Sequence, residues 1–344
     1  KASIAAGDPL AERSDGIFAG RVSRVPRIGF LFPGQGAPSR PGGGIWHRRF
    51  EYAAKLTQRL PSVPGKDSSD TRIAQPCIVA ASLAATQLVE RLGIFARIAA
   101  GHSLGEISAL AWAGALKAGP ALELAIRRGS IMGTLGVPGG SMLRVVMPAR
   151  DALLLAQDTG TVVACRNGAT EAILSGSAEA IASAAARCRA RGIETMQLAV
   201  SHAFHSSHMA PAARAFATAL SDTPFEQPAD RAIVSTVSGA LLPPTADIRK
   251  LLLDQLTEPV LFDDALDVLA ANADFIVEVG PGSSLTRLAQ AAGATAFSVD
   301  AFGNSLKPLL TAAAALFAAG VDIRAAALFE DRHIRAIDPA LVPL

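Results

Sequence analysis

Short apolar runs alternate with longer stretches of helical spacing over most of the chain. The runs at 27–32, 95–100, 232–238, 273–279 and 294–299 read as buried strands. The spacing at 47–60, 76–92, 107–115, 120–135, 211–220, 248–256, 262–270, 285–292 and 306–319 predicts helices, with Pro76 near the first turn of its helix. Strands that alternate with helices predict an α/β fold with a parallel sheet covered on both faces. Between 140 and 200 the texture changes. Strands at 142–147, 161–166, 171–175 and 193–200 flank helices at 151–157 and 177–191, and Asn167-Gly168 reads as a hairpin turn. The order βαββαβ is the ferredoxin-like pattern. The expected layout is a linker at 1–26, a large subdomain at 27–139 and 201–302, a small inserted subdomain at 140–200, and a C-terminal helix and linker at 303–344.

Half of the 344 residues are hydrophobic, enough for a sizeable core. A net charge of +2 argues against nucleic-acid or membrane-surface binding. The chain contains no run of 18 or more apolar residues. Three scattered cysteines, Cys77, Cys165 and Cys188, fit buried filler in a reducing cytoplasm better than a disulfide framework. The chain opens on Lys1, which together with linker-like ends suggests excision from a longer polypeptide.

The apolar run ending at Ala100 leads into Gly101-His102-Ser103-Leu104-Gly105-Glu106, which reads G-x-S-x-G, and a helical pattern follows. Strand, sharp turn and helix form the context that presents a serine hydroxyl at a sheet edge beside the free N–H groups of a helix start. Ser103 is therefore a candidate nucleophile, and it needs a base within hydrogen-bond reach. His102 is adjacent in sequence but aimed elsewhere by the turn; His47 and His333 read as solvated. That leaves Ser201-His202-Ala203-Phe204-His205-Ser206-Ser207-His208-Met209. Histidines three apart would share a helical stripe, a pattern seen in metal sites, but no Asp, Glu or Cys joins them, so a base for Ser103 is the better reading and no metal is expected. Arg127 has Glu123 four residues earlier as a helix partner, whereas Arg128, near Met132 at the margin of the apolar face, has none. An arginine so placed is free for a ligand carboxylate. Arg187, Arg189 and Arg191 read as a solvated helix end in preference to a docking patch for an acidic partner.

These residues resemble the malonyl-CoA:acyl carrier protein transacylase family, and more narrowly the acyltransferase domains of modular polyketide synthases. The resemblance rests on Pro33-Gly34-Gln35-Gly36, Gly101-His102-Ser103-Leu104-Gly105-Glu106, Ala113-Gly114-Ala115-Leu116 leading to Arg128-Gly129 and Met132, and His202-Ala203-Phe204-His205-Ser206. It continues through Thr257-Glu258-Pro259-Val260-Leu261-Phe262 and Glu278-Val279-Gly280-Pro281-Gly282, in family order over 28–290. It implies an α/β-hydrolase-like large subdomain with a ferredoxin-like insert. It further implies Ser103 as acyl-accepting nucleophile, His205 as general base oriented by the backbone carbonyl of Gln255, and the N–H groups of Gln35 and Leu104 as oxyanion hole. Arg128 would clamp a malonyl carboxylate, with Gln75, Asn167, Met132 and His202 near the acyl group. Phe204, in the His-Ala-Phe-His variant of malonyl-selecting domains, would fill the space of an α-methyl, a difference worth only about 1–3 kcal/mol. The partners implied are malonyl-CoA, the phosphopantetheine thiol of an acyl carrier protein and neighbouring synthase domains, with no resident cofactor. Pro38 and the Pro/Gly-rich run to Gly44 depart from the family pattern, as does the helix near His47. Two rival readings are a serine esterase using Asp331 and His333, and a non-catalytic scaffold.

Overall fold

The computed structural model describes residues 10–12, 17–20, 24–62, 64–65, 67–200, 202–228 and 230–330. A six-stranded sheet forms the large subdomain. Its strands run in the order Ala240–Leu241, Ala232–Ser235, Ile98–Gly101, Ile28–Phe32, Phe275–Glu278 and Ala296–Ser298, all parallel except the Ala240–Leu241 edge. Ile28–Phe32, Ile98–Gly101 and Phe275–Glu278 are buried along their whole length, because helices cover both faces. This is why they read as unbroken apolar runs. Phe30, Phe32 and Trp112 meet at ring centroids 5.9–6.5 Å apart and anchor this core. Truncating one such buried ring costs about 3–5 kcal/mol.

The helix Thr71–Arg91 is long and apolar enough to cross a membrane, but it is buried inside the large subdomain. Asp70 caps it by accepting from the Arg72 N–H at 3.0 Å, so it starts earlier than the sequence spacing predicts and Pro76 lies inside it. It packs against Ala118–Leu135, where a Cβ on Gly129 would come within 2.8 Å of the Thr71 carbonyl. That close approach brings Gln75 and Arg128 towards the same side of the sheet.

The small subdomain pairs Val162–Gly168, Glu171–Ser177, Gly140–Val145 and Thr195–Gln197 in that spatial order, all antiparallel. This is the ferredoxin-like arrangement the chain order predicts. Leu143, Val145, Leu155, Leu174 and Ile181 form its own core under the helices Ala149–Thr159 and Ala178–Ala190. A fifth strand, Val260–Leu261, comes from outside the insert and pairs parallel to Val162–Gly168. Beside it Arg166 holds Asp263 at 2.8 Å and Asp264 at 2.9 Å, so the two subdomains share a sheet edge and an ion-pair cluster.

Other expectations are corrected. The hairpin turn falls on Ala169 and Thr170, since Gly168 already pairs with Glu171; Asn167 stays in the strand because its side chain is engaged elsewhere. The helix predicted at 47–60 breaks at Phe50 into Gly44–Arg49 and Glu51–Thr57. The break seats Phe50 against Trp46 and Tyr52, at 5.5 and 5.6 Å, and burying these rings outweighs the lost turn. His47 is half-buried, with Nδ1 2.6 Å from Thr57 Oγ1. Within the expected N-terminal linker, Leu10–Glu12 pairs antiparallel with Phe18–Gly20, and Phe18 packs edge-on against Phe297. Within the expected C-terminal linker, the Arg324 N–H donates to the Leu92 carbonyl and Glu330 pairs with Arg91, which ties this segment to the body. Asp331 and His333 lie outside the described residues.

Candidate active site

The strand Ile98–Gly101 ends at the sheet's C-terminal edge and turns sharply into the helix Gly105–Trp112. A Cβ on Gly105 would run into the Phe32 carbonyl, and one on Gly101 into the backbone of Gly105 and Glu106, so only glycine fits at either end of the turn. Between them Ser103 is held at φ 50°, a left-handed conformation costing about 1–2 kcal/mol. The turn puts Ser103 Oγ 2.9 Å from His205 Nε2. His205, too, sits at positive φ, 56°. Its Nδ1 lies 3.0 Å from the Glu258 carbonyl. A carbonyl only accepts, so Nδ1 carries the proton and Nε2 offers its lone pair to the serine hydroxyl. Burial, the Arg128 charge and His102 lower the His205 pKa to about 3, against the pull of the Glu258 and Gln255 backbone, so the ring is neutral at physiological pH.

The orienting carbonyl is thus that of Glu258, with a lesser backbone contribution from Gln255, which corrects the expectation placed on Gln255. The Gln255 side chain has a different task. Its Oε1 accepts from Arg128 Nη2 at 3.2 Å, and its Nε2 donates to Glu106 Oε2 at 2.9 Å. Arg128 is 1% exposed, not at a surface margin, and this is its one hydrogen bond among the described residues; its Nε is buried without a partner. Burial lowers its pKa to about 10, with Glu106 opposing, so it remains cationic at pH 7.

One cleft of about 570 Å³ contains these groups. Gln35, Gln75, Ser103, Arg128, Met132, Asn167, Phe204 and His205 all line it. Gln35 is fixed from two sides: its Nε2 donates to Thr71 Oγ1 at 2.9 Å and its Oε1 accepts from Gln75 Nε2 at 2.9 Å. That pins the Pro33-Gly34-Gln35-Gly36 loop beside the serine turn. The Gln35 and Leu104 N–H groups have no hydrogen-bond partner among the described residues, as an oxyanion hole requires. His202 lies outside the cleft lining, its ring 6.0 Å from that of Phe204, so its sequence-based place near the acyl group is corrected to support behind Phe204. His202, His205 and His208 form no stripe, because only Ser207–Met209 is a short 3₁₀ turn.

The small subdomain supplies the opposite wall with Met142, Ile173, Met196, Leu198 and Val200. A polar chain crosses the junction: His102 Nε2 lies 3.0 Å from Asn167 Oδ1, Asn167 Nδ2 donates to Glu171 at 3.2 Å, and Arg144 donates to Glu171 at 2.6 Å. Sequence reasoning missed Glu258, Glu171 and Arg144. Glu258 was within reach as part of the quoted Thr257-Glu258-Pro259 stretch; the other two carry no local signal. Ser103 already has His205 at hydrogen-bond distance, whereas the Asp331 and His333 of an esterase reading fall outside the described residues.

The chain belongs to the acyl transferase domain family, whose profile matches residues 47–312. It is 31% identical to the malonyl CoA-acyl carrier protein transacylase of Bacillus subtilis, over 77% of this chain and 90% of that protein. It is also 31% identical to a phenolphthiocerol synthesis polyketide synthase type I of Mycobacterium bovis, over 95% of this chain. The chain spans only 16–21% of the length of the mycobacterial synthases it matches. Among solved structures, the acyltransferase domain of an iterative polyketide synthase in enediyne biosynthesis aligns with a TM-score of 0.81 at 40% identity, over 95% of this chain and 80% of that one. FabD from Acinetobacter baumannii aligns with a TM-score of 0.77 at 26% identity, over 86% of this chain and 100% of that one.

Proposed function

We propose that this chain transfers a malonyl unit from coenzyme A, through an ester on Ser103, to the phosphopantetheine thiol of an acyl carrier protein. The observation that carries the reading is the Ser103–His205–Glu258 line facing the buried, half-partnered Arg128 across one cleft.

Ser103 Oγ attacks the thioester carbonyl as His205 Nε2 takes its proton. The oxyanion formed is held by the Gln35 and Leu104 N–H groups, each worth about 3–4 kcal/mol of barrier. Collapse breaks the C–S bond, and His205 returns the proton to the departing coenzyme A sulfur. In the second half the carrier thiol gives its proton to His205 and attacks the Ser103 ester; His205 then reprotonates Oγ. Arg128 binds the free malonyl carboxylate and holds its carbonyl over the serine. Phe204 occupies the space an α-methyl would need, which favours malonyl over methylmalonyl. The acidic carrier and neighbouring synthase domains are the partners this chemistry serves.

Intact-protein mass spectrometry after brief incubation with malonyl-, methylmalonyl- and acetyl-CoA tests this. The expected result is a malonyl adduct that is absent in Ser103→Ala and loses its advantage over acetyl in Arg128→Ala. Acylation of Ser103→Ala, or an Arg128→Ala protein that still prefers malonyl, would overturn the reading.

A further inference from the structure

Among the described residues, Arg128 is the one charged group of the cleft whose side chain is almost wholly enclosed, and no carboxylate among them hydrogen-bonds or ion-pairs with it. Glu106, whose carboxyl acts on Arg128 electrostatically, is equally enclosed at 1% exposure and is reached through the Gln255 amide. Glu106 is itself fastened: its Oε1 accepts from the Thr236 N–H at 2.6 Å and lies within hydrogen-bond distance of the Thr236 and Ser235 hydroxyls. These donors oppose the effect of burial, which raises the Glu106 pKa. Glu106 lies in the first turn of the helix that follows Ser103, and Gln255 caps the C-terminal end of the helix Ile248–Asp254. The chain Arg128–Gln255–Glu106 therefore ties the guanidinium to the same helix start that positions the nucleophile.

We infer that Gln255 is a positioning residue for substrate selection: it orients Arg128 towards the acyl carboxylate and links it, through a neutral amide, to the buried Glu106 carboxyl. This rests on the carboxylate-clamp reading of Arg128. A carboxylate placed directly on the guanidinium would form a bidentate pair and compete with the substrate. With no counter-charge at all, a buried cation would be costly. A neutral amide meets both demands, because its oxygen fixes one arm of the fork while its NH₂ engages the acid one residue further back. Arg128 Nε, buried without a partner, remains as donor capacity for a ligand. Gln255 does not line the cleft, so its effect on selection passes through Arg128.

The test compares wild type, Arg128→Ala, Gln255→Met and Gln255→Glu by KM and kcat of self-acylation with malonyl-CoA and with acetyl-CoA, alongside melting temperature. Gln255→Met keeps the size and removes both hydrogen bonds. It is expected to lower the malonyl-to-acetyl ratio of kcat/KM about ten- to a hundredfold, mainly through the malonyl KM, as befits loss of a hydrogen bond to a charged group. Gln255→Glu is expected to lower the ratio at least as far, because its carboxylate competes for Arg128. A ratio unchanged in Gln255→Met while Arg128→Ala loses it overturns the inference alone. Equal losses with both donors, accompanied by a lower melting temperature, mean a structural role and also overturn it. If Gln255→Met does not fold, Gln255→Asn takes its place, since the shorter amide cannot span Arg128 and Glu106; the same fall in ratio is expected, and an unchanged ratio there counts against the inference. A wild type with no preference for malonyl, or an Arg128→Ala protein that keeps the preference, removes the clamp reading and this inference together.

Discussion

The Ser103–His205 end of the cleft and its Arg128 end are held by different means. Ser103 and His205 are set by backbone: both sit at positive φ, and the base is oriented by a main-chain carbonyl. Arg128 is set by side chains, through Gln255 to Glu106. A strained backbone persists only where the surrounding structure over-determines it, so the group it carries is held by many contacts at once. A side-chain relay leaves the main chain regular and can be altered one residue at a time. In the function proposed above, chemistry common to all acyl donors would be built into the turn, and the choice among donors would be left to side chains. On that reading Phe204 belongs to the second category although it is adjacent in sequence to His205, since it lines the cleft with its ring and the ring, not the backbone, would limit the acyl group.

The largest effect expected comes from the backbone-held end. Ser103→Ala should form no acyl-enzyme by mass spectrometry, while Ser103→Gly, equally inactive, should be about 1 kcal/mol more stable in urea melts because it relieves the left-handed strain. His205→Ala should slow acylation about 10²–10⁴-fold with malonyl- and acetyl-CoA alike, measured by rapid quench. An effect confined to malonyl would break the division drawn above. At the side-chain end, Phe204→Ser should raise the methylmalonyl-to-malonyl adduct ratio by about tenfold or more and leave the pH profile alone.

A smaller, sharper test is pH. With a His205 pKa near 3 in the folded enzyme, the acylation rate should stay level from pH 8 to about pH 5, with no inflection at the ordinary histidine value near 6.5. The same depression links to stability. The unfolded chain takes up a proton below about pH 6.5 that the folded protein refuses, so the His205 contribution is complete above that pH and is lost progressively as pH falls towards 3. His102 and His202 are lowered by burial and act in the same direction. Urea melts between pH 8 and 5 should show a falling midpoint, less steeply in His205→Ala.

What could be read along the chain is local in origin. Strand and helix periods follow from which faces meet the core, and the G-x-S-x-G turn announces itself because only glycine survives the approach of Phe32 and the following helix. The ferredoxin-like order of the insert needed no more than the succession of elements. Depth and partnership were decided elsewhere. Arg128 looked marginal on its own helix, and only packing against Thr71–Arg91 and the loop after Ile248–Asp254 encloses it. The carbonyl behind His205 belongs to Glu258, because the bend after that helix, invisible to periodicity, sets which oxygen points at the ring. Val260–Leu261 joins a sheet formed almost wholly by residues about a hundred positions earlier, and Asn167 leaves its expected turn to meet His102 across the cleft. Hydrogen bonds and ion pairs between distant segments leave no trace in the spacing of either one. They exist only once the chain has closed on itself and excluded the water that would otherwise satisfy them.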